Sequence, residues 1–318
     1  MLFIKKSNTD MRKLLLAVII ITTAYGVQAQ NVKTKKVKKS SSSKAKEKGT
    51  WKKGGMINIA LSQAGTRNWA PGGDRLALSA NTFFTAYANK TKAKSYWNNR
   101  IEATYGLMNT NAYGIVKNDD RVEIISRYNH QIGKVKKSKW SYGAIVNFRS
   151  QFTDGYDFDN GTKKRISSFL APAYFLISPG MSYDICKDLN AHISPITPRW
   201  VIVSNRPNEL AANYGVKPNR EVRIEAGIFT SLNYKKEIMK NVHYRSRLDL
   251  FSDFVDRAPG NIDVFWNNMI TMKVNKNLNV VYNFDLQYDD NTRIFGYSKK
   301  GAATQLKSIF GVGLAVKF

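Results

Sequence analysis

Two groups of residues in this sequence could do chemistry. The first is a pair, His192 and Ser194, in the stretch AHISP. At i and i+2 they share one face of a strand, and a histidine beside a serine can take its proton and turn it into a nucleophile. No third residue is evident to orient the histidine, and Pro195 and Pro198 distort the strand. The second group is larger: Arg100, Glu102, Arg121, Glu123, Arg127, Arg149, Glu221, Arg223, Glu225, Arg245, Arg247, Asp249 and Asp285. These charges of both signs recur at every second position within apolar runs. They could hold ions, bind an anion, or neutralise one another. The other histidines, His130 and His243, have no partner at metal-ligand spacing, and no Gly-rich loop joins a strand to a helix. No metal, cofactor or nucleotide chemistry is therefore expected.

The elements that carry these charges have a period of two. In VRIEAGIFTSLNY, Val222, Ile224, Ala226, Ile228 and Leu232 oppose Glu221, Arg223, Glu225, Ser231 and Asn233. In NVHYRSRLDLFSD, Val242, Tyr244, Leu248 and Leu250 oppose His243, Arg245, Arg247 and Asp249. In NLNVVYNFDLQYDD, Leu278, Val280, Tyr282, Phe284 and Leu286 oppose Asn279, Asn283, Asp285 and Gln287. In DRVEIISRYNHQ, Val122, Ile124 and Tyr128 oppose Arg121, Glu123, Arg127 and Asn129. Such segments are strands with one apolar and one polar face.

A soluble sandwich with one wet face would alternate in the same way. Strand length and loop rhythm favour a closed membrane barrel. The runs reach about 12 to 15 residues, where soluble strands average 5 to 6 and tilted membrane strands need about 9 to 11 plus overhang. Strands are expected over 55–62, 74–88, 95–107, 120–132, 139–152, 171–185, 190–202, 219–233, 239–253, 262–274, 278–289 and 304–318. Pro179-Gly180 makes 171–185 the weakest of them. Connections then alternate between long (63–73, 108–119, 153–170, 203–218, 254–261, 290–303) and short (89–94, 133–138, 186–189, 234–238, 275–277). That is the rhythm of outer-membrane barrels, with short periplasmic turns and longer outside loops. Three of the short connections, NKTKAK, GKVKKS and YKKEI, carry lysine. The expected fold is an all-β, antiparallel up-and-down transmembrane barrel of about twelve strands, within a range of about ten to fourteen.

The ends of the chain fit the same reading. Arg12 and Lys13 precede an apolar run over 14–24, too short to span a bilayer, and Val27-Gln28-Ala29 offers a small-residue cleavage site. The expected organisation is a signal peptide over 1–29, a disordered Lys/Ser-rich periplasmic tail over 30–53, and a barrel over 54–318. The formal net charge is +27. A basic tail usually suggests nucleic acid, but export removes that partner. An anionic lipid or cell-wall surface is the alternative, against a plain solvated linker. A single cysteine, Cys186, forbids an internal disulfide. The chain ends GVGLAVKF, with Val312, Leu314, Val316 and Phe318 on one face. This ending resembles the closing strand of bacterial outer-membrane barrels, and the resemblance implies that Phe318 is read by the barrel-assembly machinery.

Several motifs resemble a Bacteroidetes-type family of exported proteins, catalogued as a domain of unknown function. They are Asn68-Trp69 with Gly72-Gly73, Trp97-Asn98-Asn99, Tyr105-Gly106, DDRVEI (119–124), FRSQFTDGYDF (148–158) and FLAPAYF (169–175). The resemblance implies an envelope barrel and brings no activity and no catalytic residues.

Charges on the lipid face would each cost about 2 to 4 kcal/mol at mid-membrane, so the charge ladder belongs in the lumen. There it either fills the barrel as an ionic plug or lines a narrow anion-favouring pore. NWAPGG, with Asn68, Trp69, Pro71, Gly72 and Gly73, falls in the first outside loop, where it could cap the barrel or bind a ligand. The expected role is a narrow pore or transporter, or a filled structural barrel. The protein is expected to be a monomer in the outer membrane, in contact with its lipid, and not an enzyme. The alternatives are a tether acting through the basic tail and a lipid hydrolase built on His192 and Ser194. Outer-membrane phospholipases use a similar pairing, but they work at the outer leaflet, whereas His192 falls near the periplasmic end.

Overall fold

The computed structural model describes residues 49–65, 76–110, 113–133, 138–159, 162–204, 210–217, 219–255, 260–295 and 301–318. Alternating sequence segments become fourteen strands: β1 (Thr50–Gly65), β2 (Leu76–Lys92), β3 (Ser95–Thr110), β4 (Gly114–Gln131), β5 (Trp140–Ser150), β6 (Gly155–Asp159), β7 (Thr162–Ser167), β8 (Ala173–Cys186), β9 (Leu189–Ile202), β10 (Val222–Met239), β11 (Val242–Asp253), β12 (Ile262–Lys273), β13 (Leu278–Tyr288) and β14 (Gln305–Lys317). All but β6 and β7 form one closed antiparallel barrel, in the ring order β1-β14-β13-β12-β11-β10-β9-β8-β5-β4-β3-β2. The expected fold class and all twelve expected strands are present.

Closure joins β14 to β1, from Met56 opposite Lys317 to Leu61 opposite Val312. Gly55 N donates to Phe318 O at 2.9 Å, and Phe318 N donates to Gly55 O at 3.1 Å. The seam is tight: a Cβ on Gly313 would collide with the Ile59 carbonyl oxygen. A closed ring leaves no strand edge unpaired, which a bilayer requires of any spanning sheet.

Several boundaries differ from expectation. β1 starts at Thr50, so Thr50–Lys53 are strand and not tail. Most of the expected long loop 108–119 is strand: β3 runs to Thr110 and β4 starts at Gly114, both continuing past a register shift at Gly106/Leu107. The lysine stretches at 89–92 and 234–238 are strand ends. The true turns are residues 93–94 and 240–241, where Ala93 and Asn241 take positive φ. In the expected loop 153–170, β6 and β7 pair as a hairpin. A short 3-10 helix, Ala211–Tyr214, interrupts the loop between β9 and β10. The expected signal peptide, the expected tail up to residue 48, and the Asn68, Trp69, Pro71, Gly72 and Gly73 motif lie outside the described residues.

The barrel is inverted relative to a soluble protein. Its outer face exposes Ile59, Leu61, Ile193, Ile196, Ile224, Ile228, Leu306, Phe310, Val312 and Leu314, with Leu314 63% exposed. Near the short-turn end stand Trp51, Trp97, Tyr128, Trp140 and Tyr142. Polar groups on this wall satisfy one another: Trp97 Nε1 donates to Ser126 Oγ (2.9 Å), Ser126 Oγ to Asn99 Oδ1 (2.7 Å), and Trp266 Nε1 to Ser246 Oγ (2.9 Å). The buried residues include Glu102, Arg121, Glu123, Arg199, Glu225, Arg247 and Asp285.

Candidate functional site: a charge network across the lumen

The period-two pattern sends one residue in two inward, and long charged side chains then meet across the barrel. Glu102 on β3 takes Arg100 at 3.2 Å and Arg245 of β11 at 2.8 Å. Strands β3 and β11 are diametrically opposed, six steps apart round the ring in either direction. Glu123 on β4 binds Arg247 of β11 at 2.6 Å, and Arg247 also reaches Asp249 at 3.2 Å. Asn147 Nδ2 donates to the same Glu123 oxygen at 2.8 Å. Arg121 on β4 lies 3.5 Å from Asp285 on β13, which also binds Lys307 of β14 at 2.8 Å; Lys307 reaches Asp119 at 2.9 Å. A fourth cluster sits toward the long-loop end, where Arg223 binds Glu225 at 2.6 Å and Arg199 pairs with both Glu225 and Asp263.

Aromatic rings fill the space between these pairs. The ring of Phe265 lies under the guanidiniums of Arg149 (4.0 Å), Arg247 (5.3 Å) and Arg121 (5.7 Å). Arg199 lies 4.0 Å over Phe251. Among these groups, Ile145, Leu176, Phe229 and Phe251 form an apolar cluster with Ile125 packed on it. Buried ion pairs gain little net stability but are costly to break, so such a layer fixes the lumen's geometry more than it stabilises the fold.

Most predicted lumen residues are in this network. Arg127 is not ion-paired among the described residues; its Nη1 donates to Asn190 Oδ1 at 2.6 Å. Glu221 lies one residue before β10, at the rim, and its carbonyl accepts from Val203 N at 2.7 Å. Arg149 stands apart and has no carboxylate within ion-pair distance among the described residues; its Nε and Nη1 have no hydrogen-bond acceptor.

The sequence reading missed Asp119, Arg199, Asp263 and Lys307. Asp119, Asp263 and Lys307 were legible, since each lies on the polar face of its strand. Arg199 was not. Counting by twos from His192 sends residues 198 and 200 inward. Instead the strand bulges at Pro195-Ile196, and Thr197, Arg199 and Val201 point in.

The same bulge undoes the proposed catalytic pair. His192 Nδ1 lies 2.9 Å from Ser182 Oγ, and Nε2 lies 3.1 Å from Ser178 Oγ. Ser194 Oγ donates to Pro179 O at 2.6 Å, with Ile196 O 3.1 Å away, and accepts from Thr197 Oγ1 at 2.9 Å. Ser194 thus ties the bulge down and does not meet the histidine. Both residues are wholly buried. Among the described residues no group of three His, Cys, Asp or Glu could hold a metal ion.

Cavities lie on both sides of the charge layer. One of about 360 Å³ is at the long-loop end, and others of about 330 Å³ and 620 Å³ are toward the short turns. Arg121 lines both the first and the second. The 3-10 helix folds over the long-loop end with Leu210, Ala211, Tyr214 and Val216 against Tyr174, Val201 and Val203. Tyr214 Oη donates to Ile166 O at 2.8 Å. Burial, with nearby Asp289, raises the Tyr214 phenol well above its ordinary pKa, so it stays a donor.

Fold and site define a closed twelve-strand antiparallel barrel with an ionic, filled middle. Residues 61–156 match the family described as "Protein of unknown function (DUF3078)", which bears out the resemblance to a family of unknown function. A search of curated proteins finds no match. Solved structures that are similar include the NanC porin (11% identity, covering 81% of this chain and 98% of that one, TM-score 0.39). The COG4313 outer membrane channel from Pseudomonas putida F1 is 8% identical, covers 88% of this chain and 100% of its own, and has a TM-score of 0.38. The translocator domain of autotransporter NalP from Neisseria meningitidis is 9% identical, covers 98% of each chain, and has a TM-score of 0.33.

Proposed function

We propose that this protein is an outer-membrane barrel whose lumen is closed at mid-height by ion pairs, so that at rest it is not an open diffusion pore. One observation carries the reading: Glu102 to Arg245 and Glu123 to Arg247 join opposite walls of the barrel at salt-bridge distance. The membrane location is supported by the outer wall. Large apolar side chains are exposed on β1, β2, β4, β9, β10, β12 and β14, where a soluble monomer would keep such patches to a few hundred Å², and Trp and Tyr stand at the short-turn end. The signal-like N-terminus adds export, the Phe318 ending adds delivery to the barrel-assembly machinery, and the lysine tail adds contact with anionic lipid or cell wall. A ring closed on itself needs no partner, so the barrel acts as a monomer.

The test is conductance of detergent-folded protein in a planar bilayer. Wild type inserts and stays silent. The double variant Glu102→Ala with Glu123→Ala, which removes both cross-lumen acids, gives discrete steps. Large steps from wild type would overturn the closed reading. A second reading, a narrow anion-favouring pore, is favoured by one feature: cavities on both sides of the layer share Arg121 as their common wall. Small anion-selective steps that vanish in Arg121→Glu would support it.

A further inference from the structure

The cavity at the long-loop end holds an unmatched charge. Among its walls are Arg121, Arg149, Lys307, Asp120 and Asp285. Three cations and two acids line it, and all but one are already engaged. Asp120 binds Lys117 at 2.9 Å and accepts from the Phe152 and Thr153 amides. Asp285 is shared between Arg121 and Lys307, and Lys307 takes Asp119 as well. Arg149 is left over. Its register partner on β4 is Glu123, whose Oε1 is taken by Arg247 and Asn147; Oε2 has no hydrogen-bond partner, yet Glu123 forms no ion pair with Arg149. No other carboxylate among the described residues comes within ion-pair distance of it.

The guanidinium is nevertheless held firmly. Its centre stacks 4.0 Å from the Phe265 ring and 5.4 Å from the Tyr174 ring. Stacking satisfies the face of a guanidinium and leaves its in-plane N–H donors free. Two of those nitrogens, Nε and Nη1, are buried without an acceptor. Two further groups that line the cavity are unmet as hydrogen-bond donors: Thr292 Oγ1 is buried with no partner, and Arg121 Nε and Nη1 have none, although Nη1 lies 3.5 Å from Asp285. Buried donors left open are expensive, and a protein that keeps several in one cavity supplies an acceptor there by other means.

We propose that this cavity is a binding site for a small hydroxylated monocarboxylate, with Arg149 as the carboxylate-binding residue and Thr292 bonding a hydroxyl. Arg149 is the one cation lining this cavity that has no carboxylate at ion-pair distance among the described residues, which favours a singly charged carboxylate over a dianionic phosphate. A planar carboxylate matches the in-plane fork of a guanidinium. Tyr174, Tyr214 and Phe265 supply flat walls for the ring face of a sugar acid, and about 360 Å³ lies at the small end of ligand pockets. The site lies on the long-loop side of the charge layer and needs no conduction. Failure of binding leaves the closed-barrel reading intact, and an open channel would leave the site intact.

The test is isothermal titration of the detergent-folded full chain with D-glucuronate, glucose and inorganic phosphate. Glucuronate is expected to bind and glucose not. Arg149→Gln should weaken glucuronate by about tenfold or more, the effect of losing a charge-assisted pair. Thr292→Val should weaken it by about threefold, as loss of one neutral hydrogen bond does. Arg127→Gln, at the other end of the lumen, should bind as wild type does. If Arg149→Gln does not fold, Thr292→Val and Arg149→Lys carry the test, the lysine keeping the charge but losing the fork and hence most of the affinity. The proposal is overturned if wild type binds none of the probes, so that water alone fills the site, if phosphate binds more tightly than glucuronate, or if the variants bind glucuronate as wild type does.

Discussion

Arg149 and Arg247 share the ring of Phe265 and both neighbour Glu123, but only one of them is ion-paired. Arg247, on β11, has Glu123 at 2.6 Å and Asp249 at 3.2 Å. Arg149, on β5, has aromatic rings and two open nitrogens. Both come from the same strand pattern, a basic residue on the polar face. The first region is closed by its own charges and joins two walls of the barrel. The second is open on one side and asks for an anion from outside. A filled lumen and a ligand site can therefore be adjacent layers of one network, distinguished only by which carboxylates are already taken.

The contrast can be broken most sharply at Arg247. Replacing it by Met leaves Glu123 buried without its cation, and urea unfolding in lipid vesicles should show a loss of about 3 to 5 kcal/mol. Adding Glu123→Gln should recover much of that loss; no recovery would mean that the pair does not act as a pair. Next is the outer wall. Phe310→Arg places a charge in the apolar belt and should cost about 2 to 4 kcal/mol in the same assay. A neutral result would mean that this face does not meet lipid, and the inside-out reading of both arginines would fall with it. Ser194→Ala removes the hydroxyl that ties the bulge and should cost about 1 to 2 kcal/mol. Lipid hydrolysis by purified protein should be the same before and after; a drop would restore the catalytic pair. The smallest effect belongs to Arg149. Arg149→Gln should change stability by less than about 1 kcal/mol, because a cation–π contact is lost while two open donors are relieved. A loss as large as that of Arg247→Met would make Arg149 a structural member of the layer.

Much of the fold was legible. Val222-to-Leu232 and Val242-to-Leu250 alternate cleanly, and their polar partners Arg223, Glu225, Arg245 and Arg247 all face the lumen, because side chains in a strand leave no other choice. Strand ends were less legible. Lysines at 89–92 read as turn residues, yet they extend β2 beyond the apolar belt, where a polar side chain costs nothing. The segment 153–170 read as plain loop, although TKKRIS pairs with GYDFD as a hairpin. Arg199 was hidden by a bulge whose only sign was Pro195, since an inserted residue reverses parity for everything after it.

The sequence by itself determined the barrel: a period of two over runs longer than soluble strands, and a long-short rhythm of loops. It determined which residues face inward along every strand without a bulge, because facing there depends on neighbours one and two places away. Only the tertiary structure decided which charges meet. Glu102 and Arg245 are far apart in the chain and come together because the ring closes with five strands between β3 and β11 on each side. That pairing, and the leftover charge of Arg149, follow from the shear of the barrel and from competition among acids for the same cations, neither of which a local pattern contains.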